Sequence, residues 1–183
     1  MEQKTEKKGF TLLEMIISMG VFAVAALIGV SSLLALTNAQ KKALVFQSTQ
    51  DNLRFAVEAM AREIRTGNFY YCGTNLGDIP QNSSYKDCSA GGPSFNFTNV
   101  SGQRVTYQAL QNRIQKSLNE GIFQAITSGD IGIEYLTFFV IGSSGDDEFH
   151  PRVTIVARGI SGVGSSRSEL SLQTTVSQRT IQR

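Results

Sequence analysis

The hydrophobic positions of the chain are concentrated first in one unbroken apolar run. Residues 15–36 read MIISMGVFAVAALIGVSSLLAL, with three serines as the only polar members, and no charged residue lies between Glu14 and Lys41. A helix needs roughly 20 apolar residues to cross a bilayer core, and a buried helix of a soluble protein is seldom this long and this free of charge. The run therefore predicts a membrane-spanning helix.

After residue 40 the pattern becomes amphipathic, with no proline or helix-stopping cluster at the change. Five large apolar residues recur at spacings of seven, four, three and four, which places them on one helical face. They are Phe46, Leu53, Val57, Met60 and Ile64. We expect one long helix with a membrane and assembly half, residues 10–40, and an amphipathic half, residues 41–67, that ends at a cap formed by Gly67 and Asn68.

The rest of the chain alternates between apolar and polar residues with a period of two. The alternating segments are residues 104–109, 113–118, 135–141, 152–158 and 170–178, with a short turn at Gln111 and Asn112 between the first two. They predict an antiparallel meander of four to six strands over residues 102–183, one face of which packs on the helix. The fold class is therefore α+β, a long N-terminal helix packed on an antiparallel sheet.

Residues 68–101 lie between the helix and the predicted sheet and are rich in Gly, Asn, Ser and Asp, which predicts a loop-rich insertion. The only two cysteines, Cys72 and Cys88, lie inside it. The lysines before the apolar run favour export of the residues beyond it, into a compartment where disulfides persist, so we expect these two to be bridged. Two free thiols are the alternative, and a metal site is disfavoured because zinc normally takes four ligands.

The net charge of the chain argues against nucleic-acid binding, and the position of its basic residues predicts the membrane topology. The chain has 17 Lys and Arg against 15 Asp and Glu, and residues 67–183 carry nine of each sign, so the predicted soluble part offers no net charge to nucleic acid. Lys4, Lys7 and Lys8 precede the apolar run, and the positive-inside rule keeps this tail in the cytoplasm and exports the residues beyond 40. A secretory signal peptide fits less well, because its apolar region has only about 7 to 15 residues.

Glu14 is the one acid at the leading edge of the apolar run. A carboxylate in this position is costly unless a cation meets it, so it marks a functional hypothesis with a partner to be named. The alternative is that the side chain only snorkels to the membrane interface.

Residues 7–18 read KKGFTLLEMIIS and combine a short basic leader, a Gly, an aromatic Phe, an acid four residues after that Phe and an uninterrupted apolar helix. This pattern resembles the prepilin-type leader of type IV pilins and type II secretion pseudopilins. The resemblance implies cleavage between Gly9 and Phe10 by a prepilin peptidase, N-methylation of Phe10, and pairing of Glu14 with the terminal amine of a neighbouring subunit. An α-amino group is largely protonated at neutral pH and would supply the missing cation.

The resemblance implies a structural subunit of a type IV pilus or type II secretion filament, and we expect a minor subunit with residues 1–9 as its leader. Its expected partners are the prepilin peptidase, other pilin or pseudopilin subunits through the N-terminal helix, and the inner membrane that the helix crosses once before assembly. The globular domain is expected outside the cytoplasm, and then in a filament or at the cell surface. A DNA-capturing pilin of an uptake system and a membrane-anchored enzyme are the alternatives.

Other candidate chemistry in the sequence is sparse, and we expect no cofactor and no catalytic residues. His150 is the single histidine and is followed by a proline, which disfavours Ser-His-Asp or Cys-His chemistry. Asp146, Asp147 and Glu148 are consecutive acids, whereas a calcium loop places its ligands at alternate positions, so a solvated turn is favoured. The resemblance keeps calcium open, because some secretion pseudopilins bind it in a loop of the globular domain.

Overall fold

The computed structural model describes residues 9–78, 80, 85–143, 150–164 and 167–179. Its elements are α1 (Leu12–Arg65), β1 (Asn68–Gly73), β2 (Cys88–Gly92), β3 (Ser94–Thr98), β4 (Arg104–Leu110), β5 (Arg113–Leu118), β6 (Gln124–Ala125), β7 (Ile131–Ile141), β8 (Arg152–Ser161) and β9 (Ser168–Ser177). The chain divides into two compact units, Met1–Lys41 and Lys42–Arg183. The second unit contains all of the strands.

The strands form two antiparallel sheets and not one meander. The first sheet has the order β1-β3-β4-β5-β6, and the second has the order β2-β7-β8-β9. The α+β class is confirmed, and a long N-terminal helix with antiparallel sheets is consistent with a pilin-like fold. The single meander over residues 102–183 was wrong because β6 and β7, which are consecutive in sequence, are not paired: β4, β5 and β6 belong to the first sheet, and β7, β8 and β9 belong to the second. Local alternation predicts the strands but does not show which of them pair.

The expected loop-rich insertion, residues 68–101, contains the three strands β1, β2 and β3. Its composition misled the prediction because β3 is buried on both faces. Phe95 and Phe97 point into the apolar core, whereas Ser94 and Asn96 are equally buried on the opposite face. A strand whose second face is covered by polar protein groups keeps the polar composition that is typical of a loop.

The second half of α1 buries the stripe that its periodicity predicts, with one exception. Leu53, Val57, Met60 and Ile64 belong to the core, together with Thr49 and Ala56. Phe46 is wrong as a core residue: burial begins one turn later, at Thr49, and 41% of Phe46 is exposed.

The end of α1 differs from the predicted glycine cap. The helix ends at Arg65, and Gly67 is not among the glycines with a left-handed backbone. The absence of a side chain matters here for space, because a Cβ on Gly67 would collide with the ring of Phe97. Glycine is therefore required for close packing of the helix end on β3.

An aromatic cluster joins the two sheets in the core. The ring centroid of Phe95 in β3 lies 5.6 Å from that of Tyr70, 5.7 Å from that of Phe97 and 5.4 Å from that of Phe138. The ring centroids of Phe97 and Tyr107 are 6.1 Å apart. Phe138 belongs to the second sheet and the other four rings belong to the first. Such ring pairs contribute beyond the area that they bury, so the contact of Phe95 with Phe138 helps to hold the two sheets together.

Glu63 attaches the last turn of α1 to the first sheet. Its Oε2 accepts a hydrogen bond from the Tyr107 hydroxyl at 2.9 Å, and its Oε1 lies 2.6 Å from the Lys116 ammonium. The Tyr70 hydroxyl donates to the carbonyl of Ile64, one residue further along the helix. Burial raises the pKa of both tyrosines, and for Tyr107 the charge of Glu63 adds to the rise. Both phenols therefore stay neutral donors at any physiological pH.

Cys72 and Cys88 form a disulfide that crosses between the sheets, with Cα atoms 5.8 Å apart. Cys72 lies in β1 of the first sheet and Cys88 in β2 of the second. A Cβ on Gly92 would collide with the Cys72 sulfur and with the carbonyl of Gly73. The glycine-rich sequence around the bridge thus allows two strands from different sheets to approach closely.

The polar face of the first sheet is covered by the loop that follows β1, and Asp78 organises this loop. Its carboxylate accepts hydrogen bonds from the Thr74 backbone N–H at 2.9 Å and from the Tyr71 hydroxyl at 3.3 Å, with the Lys86 ammonium 3.5 Å away. Its backbone carbonyl accepts from the Asn96 amide at 2.8 Å. The bond from the Thr74 N–H is the largest cause of a lowered pKa for Asp78.

A bulge in β1 places Phe69 in an unusual backbone conformation. The pairing with β3 shifts between Asn68 and Tyr71, and Phe69 has a φ of 55°. A bulky residue in the left-handed region costs about 1–3 kcal/mol. The bulge directs Tyr70 into the core and turns the Phe69 ring away from it, to a centroid distance of 5.3 Å from Tyr85.

Replacing both cysteines, Cys72→Ala with Cys88→Ala, removes the covalent link between the sheets. We expect the free energy of unfolding to fall by about 3 kcal/mol, because the bridge restricts the unfolded chain. Urea unfolding of the purified protein, with and without reducing agent, measures this. An unchanged midpoint on reduction, or two reactive thiols in protein from an oxidising compartment, would contradict the assignment.

The lowered pKa of Asp78 predicts a pH dependence of stability. A carboxylate whose pKa is depressed by folding stabilises the protein above its unfolded pKa of about 4, and this contribution is lost as pH falls through the folded pKa. The stability advantage of wild type over Asp78→Asn should therefore be full at neutral pH and shrink as the pH falls below about 4. Unfolding of both proteins across that range checks the sign, and a difference independent of pH would refute it.

Candidate membrane and assembly site

The first half of α1 presents its apolar side chains entirely outward. Every residue from Gly9 to Leu44 is exposed, and no part of the most apolar 18-residue window of the helix is buried. By length and composition the helix can cross a membrane. The core helix of a soluble protein passes the same test of length but is buried, so the exposure counts against that explanation.

The hydroxyl groups in this half are all satisfied by the helix itself. Ser31 and Ser32 donate to the carbonyls of Leu27 and Ile28 at 2.8 and 2.9 Å. Ser18 and Thr37 donate in the same way to carbonyls three and four residues earlier, at 3.0 and 2.8 Å. Because the bilayer core offers no water, polar groups that are bonded within their own helix are the ones that can enter it at low cost. The three serines therefore do not weaken the membrane assignment.

Thr11 starts the helix as its N-cap. Its side-chain oxygen accepts a hydrogen bond from the Glu14 N–H at 3.3 Å, and its carbonyl accepts the first helical bond, from the Met15 N–H, at 3.2 Å. Thr followed three residues later by Glu is the sequence signature of a capping box. The sequence contained this signal, but the prediction used only the charge of Glu14 and not its position in the first turn.

Glu14 thus has one favourable interaction within its own chain. A carboxylate in the first turn of a helix is stabilised by the helix dipole, typically by about 0.3–1 kcal/mol at a surface. Within the part of the chain that the structure describes, Glu14 forms no ion pair. The dipole alone is small against the cost of a charge in lipid, so it would not by itself offset that cost if Glu14 lies inside the membrane.

Gly9 and Phe10 immediately precede the helix, in a segment without regular secondary structure. Both are exposed, and a Cβ on Gly9 would meet no atom within 4 Å. The peptide bond between them is therefore accessible from outside. The basic residues Lys7 and Lys8, on the other side of this junction, lie outside the described residues.

The other predicted candidates lie in the second unit or are not described. Cys72 and Cys88 form the disulfide between the sheets. The acids at 146–148 lie outside the described residues, and His150 is exposed. Across residues 9–143 and 150–179, apart from the undescribed gaps, no three His, Cys, Asp or Glu side chains are grouped so that they could hold a metal ion.

Residues 4–30 match the family model described as the prokaryotic N-terminal methylation motif, the leader of type IV pilins and pseudopilins. Comparison with curated proteins and with solved structures finds no match. The motif supports a type IV pilin-like or pseudopilin subunit and implies processing by prepilin peptidase and assembly with other pilin subunits. Together with the exposed apolar helix, it supports membrane anchoring before assembly.

Proposed function

We propose that the chain is a minor structural subunit of a type IV pilus or of a type II secretion filament. The observation that carries this proposal is Glu14, a carboxylate without an ion pair among the described residues, at the start of the apolar first half of α1, which is exposed throughout. In a filament of parallel copies, the helices of neighbouring copies cover such a surface. If each copy begins at Phe10, the α-amine of a neighbouring copy supplies a cation for the acid.

Processing creates that cation. Hydrolysis of the peptide bond between Gly9 and Phe10 adds one water molecule and leaves a carboxylate on Gly9 and an α-amine on Phe10. The amine is protonated at neutral pH, and N-methylation preserves its capacity to bind a proton. The exposed, irregular segment that contains this bond is suited to entering a peptidase site. The leader would be held at the cytoplasmic face by its lysines, and residues beyond 40 would be exported.

Pairing with a neighbour is favoured over pairing within one chain. The new amine lies just before Thr11, at the positive end of its own helix dipole, where a cation is disfavoured. A carboxylate from an adjacent helix would offset the charge of the amine and the partial positive charge of the helix start. The surrounding has a low dielectric constant, in which an ion pair is strong. In this arrangement Glu14 sets the axial offset between neighbours, because apolar contacts alone have no preferred register along a helix.

A change at the processing junction tests the first step. Replacing Gly9→Val places a branched side chain where close approach to the peptide bond is required, and we expect the leader to be retained. Intact-mass analysis of wild type should show a chain that begins at Phe10 and carries one methyl group. Finding only full-length wild-type chain in cells that possess a prepilin peptidase would refute the proposed processing.

A matched pair of variants tests the assembly role of Glu14. Glu14→Gln keeps the side-chain shape and the backbone N–H that the Thr11 side chain caps but removes the charge, so we expect membrane insertion to survive and incorporation into filaments to fall at least tenfold. Thr11→Val is the control, because it removes the cap and leaves the carboxylate.

Subunit levels in the membrane fraction and in sheared filaments are measured in the same cells. A defect in Thr11→Val as large as that in Glu14→Gln would mean that the helix start matters and the charge does not. Equal incorporation of Glu14→Gln and wild type, at equal membrane levels, would refute the pairing.

A further inference from the structure

A cleft of about 350 Å³ lies at the end of the first sheet. Its lining residues come after α1 in the sequence and are mostly polar, unlike the apolar first half of that helix. It is lined by Phe69, Thr98, Gly102, Arg104, Asn119 and Glu120. These residues come from the β1 bulge, from the β3–β4 connection and from the turn after β5. The volume falls within the range of small-ligand sites, and neither the processing step nor the assembly step uses it.

The backbone around the cleft is held in conformations that its residues do not favour. Phe69 has a φ of 55°, and Glu120 has a φ of 62° in a two-residue turn closed by a bond from the Gly121 N–H to the Leu118 carbonyl at 2.9 Å. Glycine is preferred at both kinds of position. The left-handed backbone at Phe69 and at Glu120 lowers the stability of the fold, and both side chains line the cleft. Strained residues that meet at one cavity are typical of binding sites.

The polar groups of the cleft are complementary to neutral hydroxyl groups. Arg104 and Glu120 are paired with each other, and one carboxylate oxygen and several guanidinium N–H groups remain available. The Asn119 side-chain oxygen accepts a hydrogen bond from the Arg104 backbone N–H at 2.9 Å, whereas the Asn119 NH2 group and the Thr98 hydroxyl have no hydrogen-bond partner among the residues that the structure describes. Because the ion pair is neutral as a whole, a charged ligand would be attracted by one member and repelled by the other.

The geometry points to a binding site for one neutral pyranose ring, as a free sugar or at the end of a glycan. The hydroxyl groups of the sugar accept hydrogen bonds from Arg104 and the Asn119 amide and donate to Glu120, while an apolar face of the ring packs on Phe69. This site is independent of filament assembly.

Ligand-detected saturation-transfer NMR tests the proposal on the full-length protein in dodecylphosphocholine micelles, since detergents with sugar headgroups would compete. The probes are methyl β-D-glucopyranoside, methyl β-D-galactopyranoside and N-acetyl-D-glucosamine, with glucuronate and glucosamine as charged comparators. A tetrasaccharide that ends in the bound sugar distinguishes a glycan end from a free sugar, because a glycan-end site binds it more tightly.

Two variants and one control separate binding from stability. Phe69→Asn and Glu120→Gly install residues that tolerate the local backbone, so we expect the melting temperature to be unchanged or raised and the affinity for the neutral sugar to fall at least tenfold. Asn112→Gly makes the same kind of change in the Gln111-Asn112 turn, where both residues are also left-handed, and should leave sugar binding unchanged.

The proposal is overturned if no neutral sugar binds to wild type, or if the charged comparators bind more tightly than the neutral sugars. It is also overturned if wild type and the two cleft variants bind equally, which would place the sugar elsewhere. A fall in the melting temperature of both cleft variants without loss of binding would show that Phe69 and Glu120 serve the fold alone.

Discussion

The apolar side chains of the first half of α1 are not covered by any of the described residues, and the proposed membrane and assembly roles both depend on this exposure. Eighteen consecutive residues of this kind, wholly exposed, cannot remain in water, because apolar surface costs about 25 cal/mol per Å². Lipid and the apolar helices of other subunits are two surroundings that would remove this surface from water. The hydroxyl groups inside the run are bonded to their own helix, so both environments accept it. Glu14 lies at the start of this run. If it pairs with another copy the chain is an assembling subunit, and if it has no such partner the helix is only a membrane anchor.

The second unit has its own means of cohesion, which do not depend on the membrane half. The aromatic cluster around Phe95 and the Cys72–Cys88 bridge each connect the two sheets, one by packing and one covalently. Glu63 attaches the amphipathic helix to the first sheet through a buried phenol and an ammonium group. Folding of this unit outside the cytoplasm, where the disulfide forms, would therefore be compatible with a helix that is still in the membrane.

The parts of the structure that could be predicted were those with local periodicity. The apolar run, the stripe from Leu53 to Ile64 and the strands after residue 102 all repeat at a helical or strand period, and the structure contains them. The division into two sheets could not be predicted, because alternation within a strand does not show that β6 and β7, which are consecutive in sequence, belong to different sheets, or that β2 pairs with the distant β7. The strand β3 was missed because polar groups of the Asp78 loop cover its second face. At the candidate site, Gly9, Phe10 and Glu14 follow from a motif, whereas the cap at Thr11 had a signal that was not read and the cleft beside Phe69 had none, since a strained aromatic residue is identical in sequence to a relaxed one.

The proposed assembly depends most on the pairing of Glu14 with the terminal amine of another copy. A filament reconstruction at side-chain resolution tests this most directly, through the distance between the Glu14 carboxylate and the nearest Phe10 nitrogen of an adjacent subunit. We expect a distance within about 4 Å, as in an ion pair. A carboxylate that contacts only the backbone of its own first turn at Thr11, with the neighbouring Phe10 nitrogen well beyond that range, would contradict it.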